Sequence, residues 1–134
     1  MMELWKNGRQ FVFKSHYSSI PVFHYSCISM SESIVVLVTC ASEQEALKIA
    51  HSLVEERLAA CVNLVSPIRS IYRWEGKICD EREWLLVVKT QRQKFDDLEK
   101  KVKSLHSYSV PEIIGLAIVE GSSSYVNWLA EMTK

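Results

Sequence analysis

The twelve residues Ile34-Val35-Val36-Leu37-Val38-Thr39-Cys40-Ala41-Ser42-Glu43-Gln44-Glu45 decide the fold. The first five are apolar and mostly β-branched, the composition of a strand buried on both faces. Ser42 to Glu45 then forms a capping box, in which the Ser42 hydroxyl accepts a free helix N–H while Glu45 reaches back to the cap. A strand therefore passes directly into a helix. Ala46, Ile49, Ala50, Leu53 and Val54 continue at helical spacing toward Leu58, leaving Lys48, Glu55 and Glu56 for solvent.

Outward from this unit, Cys61 to Trp74 is a long β-rich stretch interrupted at Ser66-Pro67. A proline lacks the N–H a ladder needs, so the break demands an edge position or a bulge. Glu75-Gly76-Lys77 is a turn in which glycine supplies a positive φ, and the apolar run from Trp84 to Val88 completes a long hairpin. Phe95, Leu98, Val102 and Leu105 mark a second helix with Lys100, Lys101 and Lys103 on its wet side. Lysines late in a helix also suit its negative end. Pro111 closes that segment, and Ile113 to Val119 is so nearly apolar throughout that it is expected as a central fourth strand. After Gly121, a serine-rich cap leads into a short helix carrying Tyr125, Trp128, Leu129 and Met132.

The order strand, helix, strand, strand, helix, strand, plus a terminal helix, is the split βαβ pattern of an α+β, ferredoxin-like domain with an antiparallel sheet. Right-handed crossovers place both main helices on one sheet face. The other face and the long hairpin arms are left in need of cover, which invites self-association.

Composition narrows the function. In 134 residues, Lys+Arg and Asp+Glu both total 16, so the chain as a whole lacks the positive excess that draws proteins to nucleic acid or anionic lipid. The longest apolar runs, Ile34–Val38 and Trp84–Val88, fall far short of the roughly 20 residues a membrane-spanning helix requires. Cys27, Cys40, Cys61 and Cys79 form no C-x-x-C pair and no zinc-ribbon spacing, so free thiols in a reducing, cytoplasmic setting are expected.

Residues 1–29 differ from the rest: aromatic, irregular and broken by Lys14, Ser15 and His16 where a secretory signal would need an apolar core. They are expected to be a disordered extension. Met30, directly before the first strand, is the natural opening of a domain spanning 30–134. The pair His24-x-x-Cys27 has a metal-like spacing, although a lone pair is weak by any zinc template.

Leu58-Ala59-Ala60-Cys61-Val62-Asn63, Ser70-Ile71-Tyr72-Arg73-Trp74-Glu75-Gly76-Lys77-Ile78, Lys89-Thr90 and Val110-Pro111-Glu112-Ile113-Ile114 follow one another in order. In this order and spacing, with Tyr125 and Trp128-Leu129 near the end, the chain resembles the CutA divalent-ion tolerance family over about residues 34–132. The resemblance implies a ferredoxin-like subunit in a tight homotrimer, linked to tolerance of divalent metals, copper above all, and similar in architecture to PII-like signalling trimers. A PII-like regulatory trimer holding a small ligand between subunits is thus the alternative role.

The resemblance also implies candidate sites. His106 matches a family position associated with copper, and an imidazole suits Cu(II). A histidine placed at a helix C-terminus for its dipole is the competing account. Some relatives carry a second histidine where this chain has Leu105, and a strand cysteine where it has Val38. Cys40, two positions on, keeps the same facing about 7 Å away, which makes His106 and Cys40 the candidate metal pair. Tyr72, Trp74, Glu83, Trp84, Lys89, His106, Tyr108 and Glu112 are a second group that this fold can bring to an inter-subunit cleft for a small polar ligand. Packing of those aromatics at a subunit interface, with Lys89 paired to Glu83 or Glu112, is the other account. Cys61 and Cys79 read as small core or interface residues.

Catalysis is not expected. An acylphosphatase-like reading needs a glycine- and arginine-bearing anion cradle after the first strand, and Thr39-Cys40-Ala41-Ser42-Glu43 has none. An RNA-binding reading needs a basic, aromatic RNP1 string that is absent.

Overall fold

The computed structural model describes residues 32–134. The expectations for residues 1–29, including His24 and Cys27, therefore lie outside the described residues. Among the described residues, four strands and three α-helices follow in the order β1 (Ser33–Cys40), α1 (Glu43–Glu55), β2 (Cys61–Trp74), β3 (Lys77–Gln91), α2 (Phe95–Leu105), β4 (Ile113–Ala117) and α3 (Ser123–Met132). A 3₁₀ turn, Arg92–Lys94, leads into α2. Every neighbouring strand pair is antiparallel, in the spatial order β2-β3-β1-β4. This is the ferredoxin-like arrangement that the element order implies.

One face of the sheet carries the core. Val36, Val38 and Cys40 of β1 and Leu86 and Val88 of β3 are fully buried against Ala46, Ile49 and Leu53 of α1 and Leu98 and Val102 of α2. Apolar residues spaced three and four apart put one stripe of each helix on the sheet. The alternate residues of β1, Val35, Leu37 and Thr39, are only half-buried, so β1 is not sealed on both faces as its composition suggests. Part of that second face lies under α3, whose Leu129 is fully buried outside the main core cluster.

The expectation of a central β4 is overturned. Among the described residues β4 pairs with β1 alone and is an edge strand of five residues, ending at Ala117 before Val119. An apolar run signals burial without saying what does the burying: Ile114 and Leu116 remain about half exposed within the single chain. The opposite edge behaves as expected, since β2 is terminal and its register with β3 shifts between Val65 and Ile68, across Ser66-Pro67.

The hairpin turns through Glu75 (φ 47°) and Gly76 (φ 78°). Two consecutive positive φ values match the twist of the flanking strands, and glycine takes the second without a steric penalty. Because β1 ends at Cys40, opposite Trp84, the arms from Ile68 to Glu83 run on beyond the sheet body as a two-stranded ribbon. Among the described residues no helix is long and apolar enough to cross a membrane.

Half of the predicted capping box is present. Ser42 Oγ accepts from the Glu45 N–H at 3.2 Å, but the Glu45 carboxylate turns away from the cap to Ser107. The N–H of Ser107, just past the end of α2, is a donor no helix satisfies, and a carboxylate meets it better than water does.

Candidate functional site

Cys40 closes β1, Glu45 stands in the first turn of α1, and His106 caps α2 in extended conformation. The strand-to-helix turn and the end of α2 thus converge at one corner. There the Cys40 sulfur, a Glu45 carboxylate oxygen and a His106 ring nitrogen all lie within 4.8 Å of one another. Cys40 is fully buried, the His106 side chain is 0% exposed and that of Glu45 12%.

Hydrogen bonding fixes the His106 tautomer. Nε2 lies 2.7 Å from the Thr39 carbonyl oxygen, which can only accept, so Nε2 carries the proton. Nδ1 accepts from the Tyr108 N–H at 3.0 Å and stands 3.6 Å from Glu45 Oε1. The ring is neutral. Glu45 accepts from the Ser107 N–H and from the Ser107 hydroxyl, the latter at 3.1 Å. Burial, then the charges of Glu45 and Glu83, push the Cys40 thiol up to about 12, so it is protonated at neutral pH.

Two residues past His106, the chain opens onto a cavity of about 540 Å³ between the projecting ribbon and the loop that follows α2. Tyr72 and Trp74 of β2, Glu81 and Glu83 of β3, and Tyr108 and Glu112 of the loop line it. The Tyr72 hydroxyl donates to Glu81 Oε2 at 3.1 Å and the Tyr108 hydroxyl to Glu83 Oε1 at 2.9 Å. Desolvation, then the hydrogen bond to Glu81 and that carboxylate's charge, push the Tyr72 phenol up to about 12. Tyr108 is raised in the same way, by burial first and then by Glu83.

Five of the residues assigned to a cleft from sequence, Tyr72, Trp74, Glu83, Tyr108 and Glu112, therefore line one cavity. Lys89 does not. It lies six strand steps along β3 from Glu83, about 20 Å at strand rise, and its ammonium lies 3.9 Å from Cys61 Sγ, the side chain opposite it on β2. Trp84 turns to the other face and packs half-buried against the core. Cys40, Cys61 and Cys79 are all free thiols.

The profile of the CutA1 divalent ion tolerance protein matches residues 34–132. The chain belongs to this family. The divalent-cation tolerance protein CutA of Thermus thermophilus is 54% identical over 99 residues, 74% of this chain and 96% of that protein. The chloroplastic protein CutA of Arabidopsis thaliana is 45% identical over 102 residues, 76% of this chain but only 56% of its own length. The solved structure of Cut A1 from Thermus thermophilus superimposes with a TM-score of 0.74 at 52% identity, covering 76% of this chain and 99% of that one.

Within this CutA fold the corner donors suit a thiophilic divalent ion: sulfur, imidazole nitrogen and carboxylate oxygen are the mixed set that favours copper or zinc over magnesium. Sequence reading named His106 and Cys40 as a pair but not Glu45, which the structure sets beside them and whose place in a capping box concealed it. It also missed Glu81, one of the acids in a charged run, Asp80 to Glu83, that looks like solvated hairpin surface. Strand alternation on β3 was the available clue, since it puts Glu81 and Glu83 on one face.

Proposed function

We propose that this CutA-family chain is a homotrimeric divalent-cation tolerance protein that takes up a divalent metal ion, copper first, at Cys40, Glu45 and His106. The observation that carries the reading is the approach of three chemically different donor atoms to within 4.8 Å of one another. Copper leads because a nitrogen- and sulfur-bearing site ranks it above the other first-row divalent ions. Uptake displaces the Tyr108 N–H from Nδ1 and the proton from the thiol, as coordination does to thiols generally. The ion is cargo, and the reading assigns no catalytic step. Residues 30–134 are the folding unit in this reading, and three free thiols agree with a reducing, cytoplasmic setting.

The trimer rests on surface that one chain leaves bare. Ile71 and Ile78 on the ribbon, Ile114 and Leu116 on edge strand β4, and Trp128 and Met132 on α3 are all 40% exposed or more. So much apolar area on two unprotected strand edges favours pairing with further copies of the chain.

Titration calorimetry of the full chain with Cu(II) and Zn(II), without oxygen, tests the metal reading. One ion per chain is expected, with Cys40→Ser and Glu45→Gln each weakening it by more than about tenfold, the scale at which even outer-shell partners act. Equal affinity in wild type and both variants would overturn it.

A further inference from the structure

The cavity beside the ribbon has a chemistry that metal uptake at the corner does not use. Its volume, about 540 Å³, falls in the roughly 300–1,000 Å³ range of small-molecule sites. Three aromatic rings, Tyr72, Trp74 and Tyr108, and three carboxylates, Glu81, Glu83 and Glu112, line it, and no lysine, arginine or histidine among the described residues does so.

Glu83 carries the argument. It is 4% exposed, and Oε1 takes the Tyr108 hydroxyl. Among the described residues Oε2 has no hydrogen-bond partner and no cation forms an ion pair with the group. Among the described residues no buried side-chain oxygen is wholly enclosed without a partner, so the free oxygen opens toward the cavity that Glu83 lines. A desolvated carboxylate is costly until an opposite charge meets it. The same field reaches Glu112, whose carboxyl is raised by burial and then by the charge of Glu83.

Two observations select the kind of cation. Among the described residues only Cys40, Glu45 and His106 bring three ligand atoms close enough to share one metal ion, so Glu81, Glu83 and Glu112 do not close around a single ion. Carboxylates spread along a cavity match positive charges spaced along a chain. Aromatic faces attract ammonium groups through their quadrupoles and cover the methylenes between them. We propose that this cavity binds an aliphatic di- or polyamine, with one ammonium on Glu83, another toward Glu81 or Glu112, and the alkyl chain against Tyr72, Trp74 and Tyr108.

Titration of the full chain with spermidine tests the proposal, with butylamine and Mg²⁺ as comparison ligands. Glu81 and Glu112 are exposed, so Glu81→Gln and Glu112→Gln leave the fold intact. Combined in a double variant, the two changes should weaken spermidine by about tenfold, the loss of one hydrogen bond to a charged group. Butylamine should bind more weakly than spermidine, Mg²⁺ should not displace it, and Cys40→Ser should retain it, separating this site from the metal corner. Absence of spermidine binding at millimolar concentration, an unchanged affinity in the double variant, or displacement by equimolar Mg²⁺ would each overturn the assignment.

Discussion

His106 Nε2 donates to the carbonyl oxygen of Thr39 at 2.7 Å, tying the end of α2 to the end of β1 across 67 residues of chain. The same ring receives the Tyr108 N–H, so one neutral side chain satisfies two backbone groups at a buried corner. His106→Ala leaves both groups without that partner and should cost about 2 kcal/mol or more, at the 1–3 kcal/mol typical of a buried polar group left unpaired. Urea unfolding measures it, and His106→Gln should recover part of the loss. A variant as stable as wild type would show that water replaces the ring at no cost.

Ser42 holds the other side of that corner. Its hydroxyl caps α1 while Glu45, three residues on, spans to Ser107. Ser42→Ala should destabilise by about 1 kcal/mol, the usual value of an N-cap. Glu45→Gln should cost a similar amount or more by weakening a charge-assisted bond to the Ser107 N–H. Combined, the two changes should be non-additive in chemical denaturation, since both act on one helix start.

Glu112 predicts a pH dependence. Its folded carboxyl titrates above the ordinary 4.5, first because of burial and then because of Glu83. The folded state therefore binds a proton more readily than the unfolded state, and stability falls as pH rises from 4.5 through the raised value. Below 4.5 the penalty is absent, and above the folded value it is fully present. Melting curves from pH 4 to 7 should fall less steeply for Glu112→Gln than for wild type; parallel curves would contradict this.

Leu116, 52% exposed on edge strand β4, sits where the proposed trimer needs an apolar contact. Leu116→Lys places a charge there and should leave a folded chain that sediments as a monomer at micromolar concentration. Leu86→Ala, at a fully buried position, should instead lower subunit stability by about 2–5 kcal/mol, the range for core truncations. A wild-type chain that is itself monomeric would remove the trimer from the proposed function.

Much of this molecule was legible residue by residue. The Ser42 cap, the helical stripes of α1 and α2, the turn at Gly76 and the break at Ser66-Pro67 are local, because each depends on backbone preferences and on periods of two or 3.6 residues. Those local readings sufficed to order the elements, and the order alone led to the ferredoxin-like topology. Tertiary structure decided the rest. It put the apolar β4 at an edge, since hydrophobicity reports that a surface is covered and not by which chain. It drew Glu45 out of its capping box and beside Cys40 and His106, and it carried Lys89 far from Glu83 while bringing Glu81 in. The reason is common to all of these: which charges and donors share a site depends on strand register and on where loops return, distances set by packing between residues remote in sequence.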